Sequence, residues 1–176
     1  MAFSVKWIYE LAQDYELDLS RHVQVEITEP WAFADRTGVR RLELHPGGRA
    51  VVKARYAWDG CTPKFALFDI VIGTPDGIPN ELTRKPKAYY ASLVHDVLYQ
   101  FLDADLPLTR AQADRVFLGL LERDAFAPRW VYYAAVRAFG GLTRLATRRI
   151  RSYAGRRVAL HAPADPEPAP RAAEQP

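Results

Sequence analysis

His95-Asp96-Val97-Leu98-Tyr99 lies in an apolar stretch, and a second acidic segment follows at Ala113-Asp114. On a helix, successive residues are about 100° apart and i and i+4 share a face, so His95 and Tyr99 project together while Asp96 points to the side. Propensity does not favour His-Asp in a helix interior, where Leu, Ala, Glu and Lys are preferred. An imidazole held by a carboxylate has a fixed tautomer and can accept a proton from water through its other nitrogen. His95 is therefore a candidate general base, Asp114 its orienting partner, and Tyr99 a hydroxyl donor that keeps Asp114 ionised. Asp96 is a candidate Ca²⁺ ligand, with further oxygens supplied by loop carbonyls from 58–63, around Gly60, or from 73–77, between Gly73 and Gly77.

Two helices must place these groups. The first is expected from about Lys87 to Leu102. The second is announced by Thr109 with Gln112 three residues later, the spacing of a capping box. If they form an antiparallel hairpin across 103–108, His95 lies about seven residues before the turn and Asp114 about five after it. At 1.5 Å per residue the two sit within ~3 Å of one height, and an interaxial distance of about 8–10 Å leaves room for a direct hydrogen bond. Pro128 suits the first turn of a third helix, Gly140-Gly141 a break after Phe139, and an arginine-rich helix is expected beyond Leu142.

The first third reads as strands. Val23, Val25 and Ile27 alternate with polar residues, 40–43 and 51–56 are further extended runs, and His45-Pro46-Gly47-Gly48 supplies a turn between them. Residues 1–20 fit either a helical turn around Trp7 to Leu11 or a strand through Tyr15, Leu17 and Leu19. The passage from 58 to 86, dense in Pro and Gly, is expected to be irregular. The expected class is α+β: a small N-terminal antiparallel sheet packed against a C-terminal bundle of three to four helices. One domain is expected over 1–158, followed by a disordered Pro/Ala-rich tail over 159–176.

With 176 residues, 49% hydrophobic and 26% charged, the chain suits a single globular domain. Its net charge of +3 is too small for a generally basic, nucleic-acid-binding chain. The positive charge is local instead, in Arg137, Arg144, Arg148, Arg149, Arg151, Arg156 and Arg157. That run is either a solvated helix face or a surface for dense negative charge, phospholipid headgroups or nucleic acid, of which the small net charge favours the lipid. Cys61 is the only cysteine, so no intrachain disulfide forms. Without an apolar leader at the N-terminus or a run long enough to span a bilayer, a soluble, cytoplasmic chain is expected.

The stretch from about Tyr56 to Phe139 resembles a phage-associated family of unknown function, number 1353. The resemblance rests on Asp59-Gly60-Cys61-Thr62-Pro63, His95 to Tyr99, Arg110 with Ala113-Asp114 and Phe117, and Ala135-Val136-Arg137 with Phe139-Gly140. It implies a phage-particle setting and phage structural proteins as partners, and no activity. His-Asp-x-x-Tyr followed by a helix with Ala-Asp is more loosely similar to the phospholipase A2 superfamily, especially its compact viral members. That similarity implies a phospholipase A2-like hydrolase with His95 as base, Asp114 as its partner, Tyr99 as support and Asp96 on calcium, the 73–77 segment standing where the viral domains place their calcium loop. The strict glycine pattern and the disulfides of secreted phospholipases are absent here.

Two other readings compete. Cys61, His95 and Asp114 occur in the order of a thiol nucleophile, base and orienter for acyl transfer, although Pro63 denies Cys61 the helix start that lowers a thiol pKa. Alternatively the chain is a non-enzymatic phage interaction module. In that case His95 is a satisfied core histidine, Asp114 pairs with Arg110 or Arg115, and Tyr99 is a core aromatic.

Overall fold

The computed structural model describes residues 9–58, 60, 65–67, 70–72, 77–147 and 155–160, with 65–67, 70–72 and 139–147 described as backbone. Nine strands and three α-helices are formed by these residues: β1 (Tyr9–Glu10), β2 (Tyr15–Asp18), β3 (Trp31–Ala34), β4 (Arg40–Leu44), β5 (Arg49–Val52), β6 (Ala57–Trp58), β7 (Phe65–Leu67), β8 (Ile70–Ile72), α1 (Tyr89–Phe101), α2 (Arg110–Arg123), α3 (Arg129–Thr147) and β9 (Arg156–Ala159). The class is α+β, with most strands in the N-terminal half and the helices in the C-terminal half.

The main sheet has the order β2-β5-β4-β3-β9, and all its pairs are antiparallel. Its register aligns Phe33 with Leu42 and Leu42 with Val52, and Trp31 with Leu44, Leu44 with Ala50 and Ala50 with Leu17. Side chains alternate along a strand, so these rows share one face. Phe33, Leu42, Leu44 and Val52 on that face are all fully buried. They form one apolar cluster with Leu93, Val94, Val97, Leu98 and Phe101 of α1 and Val116, Leu120 and Leu121 of α2. Each such side chain contributes roughly 1.5–3 kcal/mol of transfer free energy.

Trp58 brings the β1–β6 pair into the same core. Its indole Nε1 donates to Ser92 Oγ at 3.1 Å, and that hydroxyl donates to the Tyr89 carbonyl at 3.0 Å. Both polar groups are thereby satisfied where water does not reach.

The helical hairpin follows the sequence closely. Thr109 Oγ1 accepts from the Gln112 backbone N–H at 3.2 Å, and the Thr109 N–H donates to Gln112 Oε1 at 2.8 Å, completing the capping box. The turn between β4 and β5 falls at Pro46–Gly48, and Tyr15–Asp18 takes the strand alternative.

Four expectations are corrected. Residues 22–27 form no strand: the Gln24 carbonyl accepts from Gln112 Nε2 at 2.7 Å and the Ile27 carbonyl accepts from the Gly47 N–H at 3.3 Å. The alternation of Val23, Val25 and Ile27 reflects a chain laid on the core, its carbonyls satisfied by turns and side chains in place of a ladder. The passage from 58 to 86 is less irregular than its Pro and Gly content suggests, because β7 and β8 pair antiparallel within it. Gly140-Gly141 does not break the third helix, which runs on to Thr147. A helical glycine costs only about 1 kcal/mol relative to Ala, which a longer ladder can offset. Arg156 and Arg157, expected as part of one solvated or docking run with the helical arginines, instead belong to β9, which pairs with β3.

β9 depends on a close approach at Gly155, where a Cβ would lie 2.1 Å from the Phe101 ring and 3.0 Å from the Ala34 carbonyl oxygen. Arg157 then covers the Trp31 ring, its guanidinium carbon 3.1 Å from the ring centroid. The arginines at 148, 149 and 151 lie outside the described residues, as does the tail expected over 159–176 except for its first two residues, of which Ala159 ends β9. Among the described residues no helix is long and apolar enough to cross a membrane.

Candidate functional site

α1 buries Leu93, Val94, Val97, Leu98 and Phe101, which leaves His95, Asp96 and Tyr99 half-buried along its flank. His95 and Tyr99, one turn apart, stack with ring centroids 4.1 Å apart, and Phe117 of α2 closes the other side of the imidazole at 4.9 Å. α2 presents Asp114 from its first turns, between Ala113 and Val116, with no exposed surface.

The hairpin brings these groups into contact. His95 Nε2 lies 3.1 Å from Asp114 Oδ1, and Tyr99 Oη donates to the same oxygen at 2.5 Å. Among the described residues the Asp114 contact is the only hydrogen bond of His95, whose side chain is 11% exposed. An ionised carboxylate accepts only, so the nitrogen facing Asp114 carries a proton, and Nδ1 is the ring nitrogen turned away from that contact.

The other oxygen of Asp114 faces two arginines. Arg137 of α3 donates from Nη1 to Oδ2 at 3.0 Å, and Arg110 Nε lies 3.8 Å from it. Arg110 Nε also donates to Tyr99 Oη at 3.1 Å, while its Nη2 donates to the carbonyls of Val136 and Arg137. Burial alone would raise the Asp114 pKa, but hydrogen bonds from His95, Tyr99 and Arg137 together hold it below the ordinary carboxylate value of 3.8. Tyr99 moves the other way: burial, then its bond to the carboxylate, push its hydroxyl well above 10.0. The cluster is therefore an ionised buried acid, a neutral tyrosine and an imidazole bonded through Nε2.

His95, Tyr99 and Asp114, the three residues proposed from spacing, are thus neighbours in space. Arg110, the alternative partner of Asp114, joins them, whereas Arg115 is exposed. Arg137 belongs to the Ala135-Val136-Arg137 motif, which by itself does not mark it as a partner of Asp114. A cation at the end of Ala135-Val136, one turn beyond the half-buried Tyr133, was the available signal for it.

The metal-ligand candidates are placed differently. Asp96 is half-buried beside His95 on α1. Gly60 is described and has φ +78°. Gly73, Asp59, Thr62 and Pro63 lie outside the described residues, as does Cys61, the nucleophile of the thiol reading. Gly77 has φ +87°, and a Cβ there would lie 2.8 Å from the Phe126 ring, so packing already explains this glycine. Among the described residues no group of three His, Cys, Asp or Glu side chains is disposed to hold a metal.

Comparison with known proteins gives one match. The sequence model of a family described as "Protein of unknown function (DUF1353)" matches residues 75–136. No curated protein and no solved structure matches the chain. The matched segment holds His95, Asp96, Tyr99, Arg110 and Asp114 and ends one residue short of Arg137. The helices that build the cluster are therefore similar to a family whose description assigns no activity.

Proposed function

We propose that this chain is a phospholipase A2-like ester hydrolase in which His95 is the general base. The observation that carries this reading is the contact of His95 Nε2 with the fully buried Asp114 at 3.1 Å, on an imidazole with no other hydrogen bond among the described residues. In the reaction, a water at Nδ1 gives up a proton as its oxygen bonds to the ester carbonyl carbon. The imidazolium that forms is stabilised by Asp114 across the Nε2–H bond. When the acyl C–O bond breaks, the proton passes from Nδ1 to the departing alkoxide, leaving an alcohol and a fatty acid. Tyr99 holds the carboxylate in place throughout.

Calcium at Asp96 would polarise the carbonyl and stabilise the oxyanion. The described residues supply one carboxylate there and no group of three ligating side chains, so they do not by themselves fit a calcium site. No step is routed through the ion. Anionic lipid as substrate surface and a phage-particle setting belong to this proposal, the second resting on the family resemblance alone.

A second reading is favoured by one observation. Arg110 and Arg137 tie Asp114 to the backbone and side chains of α3, so the cluster also cross-links all three helices. In that reading the chain is an interaction module and the imidazole is structural.

Fatty-acid release from phospholipid vesicles, followed with calcium and with chelator, tests the proposal. General-base catalysis contributes about 10²–10⁴-fold, so His95→Ala is expected to reduce release by that factor while the fold persists. A wild-type protein with no release, or a His95→Ala variant with undiminished release, would contradict the hydrolase and favour the module.

A further inference from the structure

Arg110 and Arg137 approach the same carboxylate oxygen but are committed to different degrees. Arg110 spends Nε on Tyr99 and Nη2 on two carbonyls, which fixes its guanidinium between helices. Arg137 spends Nη1 on Asp114, and among the described residues its other N–H groups meet no acceptor. Its side chain is 43% exposed above a carboxylate that is fully buried. A guanidinium has five N–H donors in a planar fork suited to phosphate or carboxylate oxygens. Arg137 can therefore keep its bond to Asp114 and still offer donors outward. His95 and Arg137 hold the two oxygens of one carboxylate, so the two side chains flank the same acid.

The same face of α3 continues in apolar character. Trp130, Tyr133 and Arg137 are spaced i, i+3 and i+7, which aligns them along one stripe. The Trp130 and Tyr133 rings meet edge to face at 6.1 Å and 84°. Trp130 is 57% exposed and Val131 beside it 69% exposed, which is unusual for large apolar groups on a soluble helix. The stripe is about 10 Å long at 1.5 Å per residue. A charged donor thus stands at one end and an aromatic, half-open surface at the other.

We propose that this stripe of α3 is the substrate-recognition strip: Arg137 takes the anionic group of an amphiphile while Trp130 and Tyr133 take its apolar chain. The strip names the substrate class of the hydrolase proposed above and rests on that reading for its catalytic meaning. Its binding function stands apart from catalysis. Arg137 is a positioning residue here, setting the substrate beside His95 without touching the reacting bond.

Binding of octyl phosphate, inorganic phosphate and octyl glucoside to the full chain, followed by the NMR shifts of the Trp130 indole and the Arg137 Nε–H, tests the strip. Octyl phosphate is expected to move both signals and to bind at least about tenfold more tightly than octyl glucoside, given that charge-assisted bonds are the strong ones. Inorganic phosphate is expected to move Arg137 alone. Arg137→Gln should weaken octyl phosphate about tenfold or more. Arg137→Lys, which keeps the charge and a donor to Asp114, should lie between wild type and Gln.

Trp130→Ala lies on the surface away from Asp114, so it tests the apolar half even if Arg137→Gln fails to fold. It should weaken octyl phosphate and leave inorganic phosphate unchanged. Octyl phosphate that binds equally well to the Gln and Ala variants, or no more tightly than octyl glucoside, overturns the strip. If the strip binds as described but no ester is cleaved, the hydrolase falls and the strip stands. If His95-dependent cleavage occurs with no preference for anionic over neutral esters in wild type, the strip falls and the hydrolase stands.

Discussion

Asp114 has more partners than any other acid in the cluster, and its energetics follow from that. A fully buried carboxylate is tolerated because His95, Tyr99 and Arg137 saturate its oxygens. Removing it leaves the half-buried Tyr99 hydroxyl without its acceptor, while Arg137 is open to solvent, so Asp114→Ala is expected to cost about 1–3 kcal/mol in chemical denaturation. His95→Ala removes one hydrogen-bond partner from an acid that keeps Tyr99 and Arg137, and should cost clearly less by the same measurement. Ser92→Ala is a cleaner residue-scale test, because it orphans the buried Trp58 indole N–H and should cost about 1–3 kcal/mol. At this scale the sequence was partly readable: His95 and Tyr99 follow from i, i+4 spacing, and Asp114 from equal heights in a hairpin. Arg137 was not readable as a partner, because its position depends on how α3 is rotated against α2. Local periodicity does not carry that.

At the scale of elements, α2 shows local chemistry agreeing with the fold. The reciprocal bonds of Thr109 and Gln112 satisfy donors at its start, so Thr109→Ala should lower stability by about 1 kcal/mol, measured as a shift in denaturation midpoint. β9 shows the opposite. Arg156-Arg157-Val158-Ala159 looks like a solvated basic run, and nothing local announces that it pairs with β3 more than a hundred residues earlier. Its docking relies on the absence of a side chain at Gly155, so Gly155→Ala should loosen β9 and raise hydrogen exchange at its amides while leaving α1 and α2 protected. Residues 22–27 failed for a related reason. Alternation of apolar and polar residues reports burial on one side and does not say whether the backbone bonds are made by a neighbouring strand or by a glutamine from a helix.

For the whole molecule, the pH dependence of stability combines groups from separate parts of the fold. The carboxyls of Asp114 and Asp35 are held below 3.8 by their hydrogen bonds and neighbouring cations, which outweigh the opposing effect of burial. A lowered carboxyl pKa contributes stability above the ordinary value, and the contribution is lost as pH falls through the folded one. His22 is pushed below 6.5 by burial and by Arg123, so the folded form resists its protonation and stability also declines as pH drops beneath 6.5. Thermal unfolding across pH is therefore expected to show two steps of loss, one below about 6.5 that His22→Gln removes and a steeper one below about 3.8. The α+β class was legible from the strand-rich first third and the helical remainder, whereas the closure of the sheet by a C-terminal strand was not, being a contact between distant parts of the chain. In the proposed reaction Asp114 holds the Nε2 edge of His95 and leaves Nδ1 to take a proton. The ¹⁵N shifts of the His95 ring, recorded at a pH where it is neutral, decide this directly. The Nε2–H tautomer is predicted in wild type, and a proton found on Nδ1 would contradict the base assigned to His95.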